Sequence, residues 1–191
     1  MNRCSWPAND PLMMQYHDTE WGVPLHDDRK LFEFLVLDAF QAGLSWRTVL
    51  YKRADFRKAF DDFDPERIAR YQPHKIQQLL QNARIIRNRM KIEATVNNAR
   101  RFLDIQAQYG SFDQFIWQFT DYRILHHQLK PGQPAPATSP ESDAMSKALR
   151  KVGFQFVGST ICYAFMQAAG MINDHVVTCF RYHELKSPAS I

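Results

Sequence analysis

Three cysteines in 191 residues are too few for a secreted disulfide scaffold. No apolar run reaches the roughly 18 residues that a membrane span needs, so no membrane association is expected. The opening stretch MNRCSWPAND holds no hydrophobic signal core, and the expected location is the cytoplasm. Alternating strand patterns are scarce, and there is no internal repeat or coiled-coil register. Neither sign of charge dominates. The 24 Lys and Arg against 20 Asp and Glu leave +4, which permits a nucleic-acid partner without demanding one. Aromatic residues are plentiful: 14 Phe, 7 Tyr and 4 Trp exclude global disorder. A chain this long buries roughly two-thirds of its unfolded surface, so a single two-lobed domain over residues 1–191 is expected.

Helical periodicity is widespread, and the class expected is all-α. Asp10-Pro11 opens a short helix through His17. A helix from Asp27 or Asp28 to Gly43 carries Leu31, Phe34, Leu35 and Asp38 near one face. Ser45 caps a helix to Phe60, and Asp64-Pro65 and Gln72-Pro73 open two more. After a break at Ala83-Arg84-Ile85, a long helix runs from about Arg87 to Tyr109, and Gly110-Ser111 starts the next. Residues 130–141 hold four prolines and read as an extended linker or surface loop. Ser139-Pro140 restarts helix to Gly153, and a last long helix spans Ser159 to Ala169.

Cys4, His17, His175 and Cys179 supply two thiols and two imidazoles, a donor set for tetrahedral Zn²⁺. His175 and Cys179 share a face if their segment is helical. Spacing leaves open whether the four meet or are unrelated. Four protein ligands would close the site, the arrangement of a structural ion that ties the chain ends together. Cys162 lies in an apolar helix as a buried thiol; His26, His74, His126, His127 and His183 read as surface or structural.

Residues 16–24 and 38–46 are dense in polar and aromatic groups. Asp38 stands among Phe34, Leu35, Leu37 and Ala39, so it faces solvent or has been placed in a pocket. Tyr16 and Trp46 offer planes on which a base can stack, although core packing would explain them too. Arg84, Arg87, Arg89, Lys91, Arg100 and Arg101 cluster around Asn88. Two helices with a tight break and basic residues on the second suggest a helix-hairpin-helix over residues 73–109, whose backbone N–H groups bind phosphate. A solvated helix face is the plainer reading, and so it is for Lys147, Arg150 and Lys151. Arg84 stands where a hairpin prefers glycine.

Taken together, several stretches resemble the constitutive bacterial 3-methyladenine DNA glycosylases, the TAG family. They include Cys4-Ser5-Trp6, Asp10-Pro11-Leu12, Tyr16 to Pro24, Gln41 to Trp46, Ile85 to Ile92, Gly153 to Tyr163, and Asn173-Asp174-His175-x-x-x-Cys179. The resemblance implies a helix-hairpin-helix glycosylase fold with one structural Zn²⁺ on Cys4, His17, His175 and Cys179, joining the N- and C-terminal segments. It implies a base pocket lined by Tyr16 and Trp46, with Asp38 at the base edge as the catalytic group. It puts Gly43 and Leu44 in the gap left by a flipped nucleotide. Ile85, Arg87, Arg89 and Lys91 would grip the backbone of double-stranded alkylated DNA. The chain departs from the family at Asp38, usually Glu, at Met13, often Tyr, and at Arg84, usually Gly.

The implied reaction is hydrolysis of the N-glycosidic bond of 3-methyladenine, leaving an abasic site. No lyase activity, no obligate protein partner and a monomer are expected, with Asp38 ionised. The competing readings are a divergent glycosylase-like DNA-binding protein with altered or lost base specificity, and a structural zinc module that binds a protein.

Overall fold

The computed structural model describes residues 2–186. Among the described residues ten α-helices carry the fold: α1 Pro11–Thr19, α2 Asp28–Gln41, α3 Trp46–Ala59, α4 Pro65–Ala69, α5 Pro73–Gln81, α6 Arg89–Tyr109, α7 Phe112–Trp117, α8 Pro140–Val152, α9 Ser159–Ala168 and α10 Phe180–Lys186. Most begin where a cap residue forces them to. Asp10 accepts from the N–H groups of Leu12 and Met13 with Pro11 in the first turn. Asp27, Ser45, Asp64, Asn88, Ser111 and Ser139 do the same for α2, α3, α4, α6, α7 and α8. Each such bond satisfies one of the donors a helix start leaves over.

Helix α2 is the axle. Every residue from Leu31 to Phe40 is buried, and the helix packs against α3, α6, α7 and α9. A helix buried all round needs apolar residues all round, so the single inward stripe expected from sequence understates it. Two phenylalanine groups pack through it: Phe40 with Phe56 and Phe60, and Phe32 with Phe102 and Phe112. Each fully buried Phe stabilises the fold by roughly 1.5–3 kcal/mol relative to exposure. Two of the carboxylates of α2, Glu33 and Asp38, are buried with it. Glu33 is neutralised by Arg53 and Arg57. Among the described residues Asp38 has no such partner.

Two strands of two residues, β1 Leu125–His126 and β2 Ile172–Asn173, pair in parallel. They are too short for any alternating pattern to have signalled them. They draw the chain after α7 against the chain after α9. Gly170 is the tightest point nearby: its φ is +73°, and a Cβ there would collide with the Val23–Pro24 backbone. That approach seats residues 22–25 on the end of α9, through Gly22 N–H to Gln167 O and Leu25 N–H to Ala169 O. The N-terminal segment is thereby brought to the C-terminal one.

Candidate active site and metal-binding cluster

The pocket lies between α1, α2, the start of α3 and α9. It encloses about 480 Å³, within the range of small-molecule sites. Tyr16, Asp38 and Trp46, which sequence did not connect, meet there. The Tyr16 and Trp46 rings lie 5.0 Å apart, tilted by 43°. Tyr16 is buried, and Trp46 is partly open to the pocket. Asp38 is 2% exposed, and its Oδ2 has no hydrogen-bond partner among the described residues. The Trp46 Nε1 is likewise buried and unpartnered. Burial drives the Asp38 carboxyl well above the ordinary carboxylate range. Burial thus works against the ionised Asp38 expected from sequence, and a cation beside it would favour the carboxylate. Burial, and then the charge of Asp38, push the Tyr16 hydroxyl up as well.

Other lining residues had not been singled out. Trp6 and Trp21 add aromatic walls, with centroids 5.1 Å apart and edge-to-face. Asp174 is a second buried carboxylate in the lining, but a satisfied one. It accepts from Tyr163 Oη at 2.7 Å, Gln167 Nε2 at 2.7 Å and His127 Nδ1 at 2.8 Å. The proline-rich stretch is no mere linker: Gly132, Gln133, Pro134 and Ala135 form part of the wall. Met13 is buried in the core and lines a neighbouring groove between Trp6 and Trp46.

Cys4, His17, His175 and Cys179 meet behind one wall of this pocket, all buried, with ligand atoms within 4.8 Å of one another. Cys179 Sγ lies 3.5 Å from His17 Nε2 and 3.6 Å from His175 Nδ1, and Cys4 Sγ lies 3.6 Å from His175 Nδ1. Ligand bonds of about 2.0–2.3 Å in a tetrahedron imply edges of about 3.3–3.8 Å, so the donor set fits. The outer ring nitrogens are occupied: His17 Nδ1 by Asp18 at 2.8 Å, His175 Nε2 by the Trp21 carbonyl at 3.1 Å. These partners turn the inner nitrogens toward the cluster, as second-shell groups do at metal sites. The neighbouring Cys4 thiol holds the Cys179 thiol below the ordinary cysteine value. This group could hold a metal ion. One detail differs from the sequence reading: His175 and Cys179 precede α10 in a turn, closed by Cys179 N–H to Val176 O, and do not share a helix face.

The family model for methyladenine glycosylases matches residues 6–182. The chain belongs to the methyladenine glycosylase family. DNA-3-methyladenine glycosylase 1 of Escherichia coli (strain K12) is 48% identical, over 95% of this chain and 97% of that one. A crystal structure of 3-methyladenine DNA glycosylase I (TAG) superposes with a TM-score of 0.91 at 51% identity, covering 94% of this chain and 98% of the other. A tyrosine-to-phenylalanine variant of 3-methyladenine DNA glycosylase I, solved in complex with 3-methyladenine, superposes with a TM-score of 0.91 at 35% identity over 94% and 97% of the two chains.

In this methyladenine glycosylase, a turn at residues 82–88 joins α5 to α6, where the hairpin was expected, with α6 starting at Arg89 rather than Arg87. No residue of that turn has a positive φ, so Arg84 needs no glycine conformation. The Arg84 carbonyl instead accepts from Lys52 Nζ at 2.9 Å. Arg87 and Arg89 are exposed, and Arg89 also pairs with Glu93. Ile85 is buried and its N–H donates to Asn82 O at 3.3 Å, so it anchors the turn and its N–H is not free for phosphate. Lys91, expected to reach a phosphate, is 7% exposed; its Nζ donates to the carbonyls of Phe40 at 2.9 Å and Ala42 at 2.6 Å. Gly43 follows with φ +80° and open space around it, and Leu44 is 43% exposed.

Proposed function

We propose that this chain is a monofunctional DNA glycosylase that hydrolyses the N-glycosidic bond of 3-methyladenine in double-stranded alkylated DNA. The observation that carries this reading is the unpartnered, buried Asp38 in an aromatic-lined pocket. Alkylation at N3 leaves the purine cationic. An isolated carboxylate is costly to ionise in such a site, and a cation within about 4–6 Å reverses that preference. A neutral adenine offers no such offset. The names of the relatives, and the neighbour solved with 3-methyladenine bound, point to the same base.

Extraction of the base costs a few kcal/mol and is least costly for a damaged one. Leu44, presented by the turn at Gly43, fills the gap. Arg87, Arg89 and the N–H groups of Arg89 and Met90 at the start of α6 hold the phosphates without reading sequence. In the pocket Trp46 stacks on the base, Tyr16 closes a wall, and Asp38 meets the base edge. The bond from C1′ to the base nitrogen then breaks with its electron pair going to the base, which leaves neutral. Water oxygen bonds to C1′ and its proton passes to solvent. A cationic leaving group needs little acid help, so positioning and charge carry the rate. Lys91, with its ammonium on two carbonyls, is not poised as an amine nucleophile.

The ion we assign to Cys4, His17, His175 and Cys179 is Zn²⁺. With four protein ligands it keeps no open position, and its contribution is to fasten the chain ends. The direct test of the function is base release from methylated duplex DNA. Rapid appearance of 3-methyladenine is expected; a chain that binds the duplex and releases no base would overturn the reading in favour of a binding protein.

A further inference from the structure

The buried Lys91 joins two parts that the mechanism uses separately. It sits in the first turn of α6, the helix whose N-terminus lies on the hairpin. Its own N–H is taken by the Asn88 side chain at 3.1 Å. Its side chain runs inward to the C-terminal end of α2, where Phe40 O and Ala42 O would otherwise lose their helix partners. Phe40 lies two residues beyond Asp38, and Ala42 immediately precedes Gly43-Leu44. One ammonium thus bridges the hairpin to the stretch between the pocket carboxylate and the exposed leucine. Burial pulls it below the ordinary lysine value, as expected of a cation withdrawn from solvent.

We propose that Lys91 is a positioning residue, not a phosphate ligand: it ties the hairpin that grips the DNA backbone to the α2–α3 loop that enters the gap. The proposal rests on the glycosylase reading above. Its physical content is a rigid strut. When the hairpin seats on phosphates, the α2–α3 loop is carried to a fixed height over the duplex, so Leu44 enters as the damaged base leaves. Without the strut the hairpin still binds and the pocket still accepts a base, but the two no longer act on the same nucleotide.

The test compares Lys91→Met, which keeps the stem and removes the donors, with Lys91→Arg, which keeps the charge but sets a larger planar head in a buried site. Affinity is read on undamaged duplex and on duplex with an abasic-site analogue, each at several salt concentrations. Binding of free 3-methyladenine is followed by tryptophan fluorescence. For both variants we expect unchanged salt dependence, undamaged-duplex affinity within about twofold, and retained free-base binding. Preference for the abasic duplex and single-turnover base release should fall tenfold or more. In a double-mutant cycle, Leu44→Ala should cost far less in the Lys91→Met background than in the wild type. A phosphate ligand behaves otherwise: Lys91→Met would weaken all duplexes alike and lower the salt slope by about one, and Lys91→Arg would restore both. That pattern, additive effects with Leu44→Ala, or lost free-base binding would overturn the proposal. Base release by the wild-type chain tests the glycosylase reading separately.

Discussion

Tyr16 and His17 are neighbours on α1, yet they belong to two buried polar sites built on opposite terms. Around His17 every donor found has a partner. The two thiols and two imidazoles face one another, and Asp18 and the Trp21 carbonyl hold the outer ring nitrogens. Around Tyr16 the pocket keeps Asp38 Oδ2 and Trp46 Nε1 buried and unsatisfied. Buried polar groups in folded proteins are nearly always paired, and exceptions ask for a reason. A satisfied cluster stabilises; an unsatisfied one is held ready for a ligand. The fold places the rigid site behind the wall of the unsatisfied one, with Cys4 common to both.

The sharpest way to break the contrast is to remove the ion we propose for the satisfied site. A site loaded at about a thousand times its dissociation constant stabilises by roughly 4 kcal/mol. Chelation, or Cys179→Ala, should therefore lower the unfolding free energy by about that amount, measured by denaturant titration with metal analysis alongside. An unchanged midpoint after complete metal loss would show that the cluster does not fasten the chain ends.

The opposite experiment changes the unsatisfied site. Asp38→Asn keeps the shape and removes the charge. Loss of one preorganised electrostatic partner typically costs about 10²–10³ in rate, and we expect a fall of that size in single-turnover excision. A variant as fast as wild type would remove Asp38 from the mechanism.

Stability should move the other way. The folded-state pKa of Asp38 is raised by burial. Below the ordinary carboxylate range near pH ~4 the group is protonated folded and unfolded, and it costs nothing. As pH rises, the unfolded chain loses that proton first, so stability is lost until the folded carboxyl has titrated too. Asp38→Asn escapes this loss. Its unfolding free energy relative to wild type should increase from pH 4 to pH 8 in paired denaturant titrations. A pH-independent difference would mean that Asp38 is paired after all.

Local rules made most of the helix starts legible, because Asp10, Asp27, Ser45, Asp64, Ser111 and Ser139 act on N–H groups two or three residues away. The cluster was legible as a donor set but not as a meeting: Cys4 and Cys179 lie at opposite ends of the chain, and the turn that closes the set carries no periodicity. Three features escaped for one shared reason, since long-range packing decides them. A basic residue in a basic stretch looks like a phosphate ligand, and only the fold shows the Lys91 ammonium on α2 carbonyls. Proline-rich residues 132–135 look like a linker until the pocket needs a wall. Asp174 looks like any acidic residue until Tyr163, Gln167 and His127 converge on it.

The smallest expected effect separates the two orphans of the pocket. Trp46→Phe keeps a ring for stacking and deletes the unpartnered Nε1. Removing an unsatisfied buried donor gains about 1–3 kcal/mol, while the smaller ring gives up apolar area worth a comparable amount. Net stability should stay within about 1 kcal/mol of wild type. Trp46→Ala also loses the stack, worth about 1–3 kcal/mol per base. If the ring face is what the base uses, Trp46→Phe will release 3-methyladenine within a few-fold of wild type and Trp46→Ala will fall well below it. If both variants fall equally, the indole N–H is a polar contact in its own right. The pocket would then recognise its base through two unsatisfied groups, one acceptor and one donor, rather than through charge alone.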